Sequence, residues 1–183
     1  MRIVVSGTHA SGKSTLISDF ALRHPEYAVL ADPFEDIDES WDSPGVTSFV
    51  AQLNGAAHRL ISDPPSGPFI AERCPLDFLA YLLAWGELRG RAPARETLLR
   101  AMDLTGRALQ TVDVLVVLPL VPADAISAPA DEEPALRVSM NDVLLDLLDD
   151  PDLVGDDLRV LELSGSPATR LASLERSLSA WAG

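Results

Sequence analysis

Arg2-Ile3-Val4-Val5-Ser6-Gly7-Thr8-His9-Ala10-Ser11-Gly12-Lys13-Ser14-Thr15 is the stretch that decides the fold. Its first part is a short β-branched run suited to a buried parallel strand. Gly7 to Ser14 satisfies G-x-x-x-x-G-K-[ST] in full. Leu16, Ile17, Phe20 and Ala21 then recur at helical spacing. Strand, glycine loop and helix are the geometry that a phosphate-cradling loop requires. Gly7 and Gly12 let the backbone turn tightly, so that successive N–H groups and the positive end of the following helix converge on an anion. The loop residues Gly7, Thr8, His9, Ala10, Ser11, Gly12, Lys13, Ser14 and Thr15 are therefore candidate nucleotide-binding groups. Lys13 is placed to reach the β- and γ-phosphates, and the Ser14 hydroxyl to ligate Mg²⁺. The bland alternative is a Gly/Ser turn before a helix, with an exposed lysine.

Lys13 is also the only lysine in the chain; the other thirteen basic residues are arginine. A compact ammonium on a flexible stem stands where phosphates would need one. Against 14 basic residues the chain sets 28 acidic ones, for a net charge of −14. Such a surface repels nucleic-acid backbones and anionic lipid, so neither is expected as a partner. With 183 residues, 47% hydrophobic and 23% charged, the expectation is one globular domain over 1–183. Cys74, the single cysteine, can form no intramolecular disulfide, and no Cys/His spacing resembles a zinc site. No signal peptide and no apolar run near about 18 residues is visible, which predicts a cytoplasmic protein.

Beyond the loop, strands and helices alternate. Tyr27 to Ala31 reads as a strand ending at Asp32-Pro33. Val46, Phe49, Val50, Leu53, Ala57, Leu60 and Ile61 mark an amphipathic helix begun by Ser43-Pro44. Phe69-Ile70-Ala71 is a strand ending at Glu72-Arg73, and Pro75 opens a helix that Gly86 to Pro93 interrupts. A helix over 95–110 precedes the strand signal of Val112 to Leu118. The segment 119–137, with four prolines and the acidic cluster Asp131-Glu132-Glu133, reads as a loop or mobile lid. A helix with Met140, Val143, Leu144 and Leu147, a strand over 158–163 and a final helix after Gly165-Ser166-Pro167 complete the chain. Alternation of this kind implies right-handed crossovers and a three-layer α/β/α sandwich on about five parallel strands.

Switch GTPases read guanine with Asn-Lys-x-Asp, which a chain whose one lysine is Lys13 cannot contain. Ring-forming AAA ATPases need a longer chain with a helical lid domain. The sequence instead resembles the small phosphate-loop kinases of nucleosides and nucleotides. Ala31-Asp32-Pro33-Phe34 is similar to the Glu-Pro element of deoxyribonucleoside kinases, with an acid one methylene shorter. Phe69-Ile70-Ala71-Glu72-Arg73-Cys74-Pro75-Leu76 resembles their Glu-Arg-Ser element and the Asp-Arg element of thymidylate kinases. Arg73-x-Pro-x-Asp77-x-x-Ala80-Tyr81 is similar to a pattern in nicotinamide riboside kinase-like ATPases. By that resemblance, Gly165 and Pro167 lie where the adenine ring packs. The lid departs from the family in carrying a single arginine, Arg137.

These likenesses imply ATP- and Mg²⁺-dependent phosphoryl transfer to a small hydroxyl- or phosphate-bearing acceptor, a nucleoside or nucleotide. Asp32, at a strand's carboxyl end, is the candidate base for the acceptor hydroxyl, with Glu35 as fallback. Asp-Pro as a plain turn starter is the alternative. Glu72 is the candidate second group at the metal, and Arg73 a candidate bridge between donor and acceptor phosphates; a local Glu-Arg pair is the competing reading. Phe34, Asp77 and Tyr81 are candidate substrate contacts. Asp77 and Tyr81 share a helix face, although an acid in a first helical turn is stabilised by the dipole alone. Arg137 is the candidate lid cation closing over ATP. His9 reads as a loop side chain, Cys74 as a packed thiol, and Trp41 as a candidate acceptor wall. The competing function is an ATP-binding regulatory switch with no small-molecule acceptor, and a concave acceptor site facing the γ-phosphate position separates the two. The oligomeric state is left open, a homodimer among the options.

Overall fold

The computed structural model describes residues 1–32, 45–121 and 133–181. Five strands, β1 (Arg2–Ser6), β2 (Ala28–Leu30), β3 (Phe69–Glu72), β4 (Val114–Val117) and β5 (Arg159–Glu162), form one sheet in the order β2-β3-β1-β4-β5. Every pairing is parallel. The strand that feeds the glycine loop is thus central, with β3 and β4 beside it. The β-branched and apolar runs of β1, β3 and β4 are buried almost throughout, as parallel strands covered on both faces must be, while β2 and β5 form the more exposed edges.

Alternation along β1 divides the core. Ile3 and Val5 point to one face and pack with Leu16, Ile17 and Phe20 of α1 (Lys13–Arg23) and Leu171, Leu174 and Leu178 of α6 (Pro167–Trp181). Val4 points to the other face, covered by α2 (Val46–Ile61), α3 (Pro75–Leu88), α4 (Arg95–Leu109) and α5 (Pro134–Leu148). The three layers are those expected from the alternating elements. α3 is apolar on nearly every side because it lies between α2 and α5 and also meets α4.

One boundary differs from expectation: Gly86 does not interrupt α3, which runs on to Leu88. A Cβ at Gly86 would approach Pro93 Cδ to 2.9 Å, so this glycine serves close packing of the returning chain. The other elements fall within two or three residues of their predicted ends. Phe34, Glu35, Trp41 and residues 122–132 of the 119–137 segment lie outside the described residues.

Candidate functional site

The carboxyl ends of β1, β2 and β3 meet at one rim, and a cleft of about 520 Å³ opens there. Loop residues His9, Ala10 and Gly12 to Thr15 form one wall. Asp32, Glu72 and Arg73 form a second, and Phe49, Gln52, Phe78 and Tyr81 from α2 and α3 a third.

The loop takes its shape from three positions of left-handed backbone, Gly7, Ala10 (φ +49°) and Gly12. Gly7 has φ +147°, where a Cβ would meet the Leu118 carbonyl oxygen and Ser11 Oγ at 2.8 Å; Gly12 has φ +91° and starts α1. Its carbonyls are tied down by cations. Lys13 Nζ donates to the Thr8 carbonyl at 2.8 Å. Arg137 donates through Nε to the His9 carbonyl (3.1 Å) and through Nη2 to that of Ala10 (3.0 Å). Arg170, buried on α6, donates to the Ser11 carbonyl at 2.7 Å. Lys13 is itself buried. That burial, and secondarily the nearby Arg73, lower its pKa to about 8, so an anion in the loop would relieve a strained positive charge.

Ser14 Oγ donates to Glu72 Oε1 at 3.0 Å, and Lys13 Nζ lies 4.0 Å from the same oxygen. Burial pushes the Glu72 carboxyl above its ordinary value, with Lys13 opposing the shift. A hydroxyl and a carboxylate oxygen so close together suit a hard cation such as Mg²⁺. Among the described residues no group of three His, Cys, Asp or Glu side chains could hold a metal unaided. The ion would depend on phosphate oxygens and water for the rest of its shell, which is how Mg²⁺ commonly sits with nucleotides.

Asp32 and Arg73 are joined directly: Arg73 Nε donates to Asp32 Oδ2, and both side chains are largely buried. Arg73 has φ +62°, a left-handed conformation unfavourable by about 1–2 kcal/mol for a residue with a side chain. Its N–H is fixed on the Val5 carbonyl at 3.0 Å, and the guanidinium also stands over Phe78. Burial works against the charge, but Tyr81, Asp32 and Asp77 together raise its pKa above the ordinary arginine value. The Glu72-Arg73 neighbours therefore do not pair with each other: Glu72 turns to Ser14 and Lys13, Arg73 to Asp32.

Asp77 is a correction. Its carboxylate is fully buried, with Oδ1 accepting from Ser6 Oγ (2.9 Å) and the Gly7 N–H (2.7 Å) and Oδ2 accepting from the Cys74 N–H (2.8 Å). It caps α3 and anchors the end of β1, and offers nothing to a substrate. Tyr81, one turn on, does line the cleft. Its hydroxyl accepts the His9 N–H at 3.2 Å, and its ring stacks on Phe49 at 5.4 Å between centroids. Cys74 is fully buried, and burial raises its thiol pKa far above the ordinary value, in keeping with a packed thiol.

Arg137 stands at the loop's carbonyls and is not part of the cleft wall. Gly165, at φ +94°, and Pro167 form the entry to α6, where Ser166 Oγ accepts the Thr169 N–H at 3.2 Å. Arg170 follows one turn later, so this entry lies close to the phosphate loop.

Five contributors escaped the sequence reading. Phe49 read as core, and Gln52 and Phe78 carried no motif. Arg170 had a signal: it falls on the 170-174-178 stripe with Leu174 and Leu178, where a cation facing the core needs a partner. Arg59 on α2 was likewise missed. It donates to the carbonyls of Ala31, Glu72 and Arg73 and so holds the ends of β2 and β3 together.

A parallel sheet of order 2-3-1-4-5 with this loop after its central strand defines a phosphate-loop α/β protein with the nucleoside and nucleotide kinase fold. Solved structures of that fold superpose over nearly the whole chain. A deoxyadenosine kinase from M. mycoides with dCMP and dCDP bound has a TM-score of 0.75 at 14% identity, covering 98% of this chain and 100% of its own. The same enzyme with dATP gives 0.69 at 13% identity, with coverage of 98% and 100%. Thymidylate kinase from Candida albicans gives 0.65 at 16% identity, covering 97% of this chain and 90% of its own. No protein-family model matches the sequence, and no curated protein matches it. Among the described residues no helix is long and apolar enough to cross a membrane.

Proposed function

We propose that the protein transfers the γ-phosphoryl group of ATP, with Mg²⁺, to a small acceptor that is a nucleoside or nucleotide. One observation carries this reading: a single cleft of about 520 Å³ joins a complete phosphate loop to a carboxylate–guanidinium pair and an aromatic wall, so donor phosphates and an acceptor would share it. A regulatory switch has no need of that third wall, and small-molecule sites typically run from about 300 to 1,000 Å³. The solved kinases of the same fold, described with dATP or with dCMP and dCDP, support the substrate class.

In this reading the backbone N–H groups of the loop and Lys13 bind the donor phosphates. Ser14 and Glu72 hold Mg²⁺, which when bound neutralises charge on the phosphates. The α6 entry at Gly165 and Pro167 packs the adenine. Phe49, Phe78 and Tyr81 supply flat apolar surface for the acceptor's base, and the Gln52 amide a hydrogen-bonding edge. Asp32 accepts the proton of the attacking hydroxyl, held in position by Arg73. Arg73 also faces the charge that spreads over the transferred group.

The test is ADP release with ATP and Mg²⁺ across a panel of nucleosides, nucleotides and small alcohols, with Lys13→Ala as control. Acceleration by one class of acceptor, lost in the control, is expected. A rate that no acceptor raises above background hydrolysis would refute transfer and favour the switch.

A further inference from the structure

We propose that the acceptor is a nucleoside presenting a neutral hydroxyl, and not a nucleoside monophosphate. This rests on the phosphoryl-transfer reading above and narrows its substrate class.

The argument is one of charge. A monophosphate brings nearly two negative charges at neutral pH, and proteins recognise such groups with arginine or lysine. Among the described residues the cleft wall holds two such cations, Lys13 and Arg73. Lys13 belongs to the loop, with its Nζ on the Thr8 carbonyl and 4.0 Å from Glu72. Arg73 is already balanced by Asp32. The other arginines near the rim are turned to backbone: Arg59 to the strand ends, Arg137 and Arg170 to the loop carbonyls. Segments 33–44 and 122–132 supply no replacement, because their sequences contain no lysine or arginine and eight acidic residues. Five of those acids follow within ten positions of Asp32. A phosphate placed beside Asp32 would meet a carboxylate without a spare cation, a juxtaposition that opposes binding strongly.

A hydroxyl fits the same pair. An O–H group donates one hydrogen bond and accepts others. Asp32 supplies an acceptor. Arg73 supplies a donor, since its buried Nη1 has no hydrogen-bond partner among the described residues. In the transfer, the acceptor oxygen bonds to the γ-phosphorus as the bond from that phosphorus to the β–γ bridging oxygen breaks. The hydroxyl proton passes to Asp32, and the leaving electron pair stays on ADP.

The experiment compares a set of nucleosides with their own 5′-monophosphates for ADP release. The best nucleoside is expected to exceed its monophosphate by about tenfold or more. A monophosphate that outpaces its nucleoside overturns this inference and leaves phosphoryl transfer standing. If neither accelerates ADP release, phosphoryl transfer itself fails, and this inference with it. Calorimetric binding to Asp32→Asn gives a second readout that needs no turnover. Removing the carboxylate charge should shift the nucleoside-to-monophosphate affinity ratio about tenfold toward the monophosphate. An unchanged ratio would show that the pair does not discriminate.

Discussion

Arg170 Nη1 donates to the Ser11 carbonyl at 2.7 Å, so the last helix of the chain holds the loop that follows its first strand. Arg137 does the same for the carbonyls of His9 and Ala10. In a trans peptide the C=O and the following N–H point in opposite directions. Pinning three successive carbonyls on guanidinium groups therefore turns the N–H groups of Ala10, Ser11 and Gly12 the other way, as an anion cradle needs. The positive charge of an otherwise acidic protein is used here through the backbone as well as by direct contact.

Replacing Arg170 with Met should consequently weaken nucleotide binding without unfolding the sheet. A hydrogen bond from a charged donor is worth about 1.5–3 kcal/mol, so ADP affinity should fall roughly tenfold to a hundredfold. Calorimetric titration with ADP, beside circular dichroism for the fold, makes the check. Undiminished affinity would show that the loop keeps its shape without this support.

Lys13 gives a pH dependence. Its pKa near 8 in the free protein means that below this value the ammonium is already charged when a nucleotide arrives. Above it, binding must first take up a proton. Affinity for metal-free ADP should be flat as pH approaches about 8 and then fall by about tenfold per pH unit. Titrations in buffers of different ionisation enthalpy should show proton uptake on the alkaline side. A flat profile through that range would place the lysine pKa elsewhere.

Asp77 should behave as a structural residue. In Asp77→Ala the N–H groups of Gly7 and Cys74 and the Ser6 hydroxyl lose their acceptor inside the protein. Each such loss costs about 1–3 kcal/mol, and about 2–4 °C of Tm follows each kcal/mol in a domain of this size. A drop on the order of 10 °C is expected in a thermal melt. Wild-type stability with lost turnover would instead restore it to the substrate site.

The fold was legible because its signals are local: a β-branched run, a glycine loop and apolar helical spacing need no distant partner to be seen. Lys13, Ser14 and Glu72 could be named for the same reason, since a motif or a strand end marks each one. Asp77 and Arg170 could not be assigned that way. Whether a carboxylate one turn into α3 faces solvent or the start of the loop depends on how β1 and α3 meet, and 70 residues separate it from Gly7. Arg170 meets its partner across 159 residues. Helical spacing told which side of each helix is buried. It did not tell that a polar group on that side would be satisfied by the loop's own backbone.

Glu72 is where loop and metal chemistry can be separated. Its carboxylate accepts from Ser14 and lies 4.0 Å from Lys13, so it can serve the cation, the ammonium or both. Glu72→Gln keeps the size and a hydrogen-bonding oxygen but removes the charge. If the carboxylate serves only Mg²⁺, the variant should bind metal-free ADP about as well as wild type. The gain in affinity that Mg²⁺ confers should shrink by about tenfold. If the carboxylate serves only to hold Lys13, metal-free binding should change and the Mg²⁺ increment should not. Paired titrations with and without the ion distinguish these outcomes, because each role alters a different one of the two measured affinities.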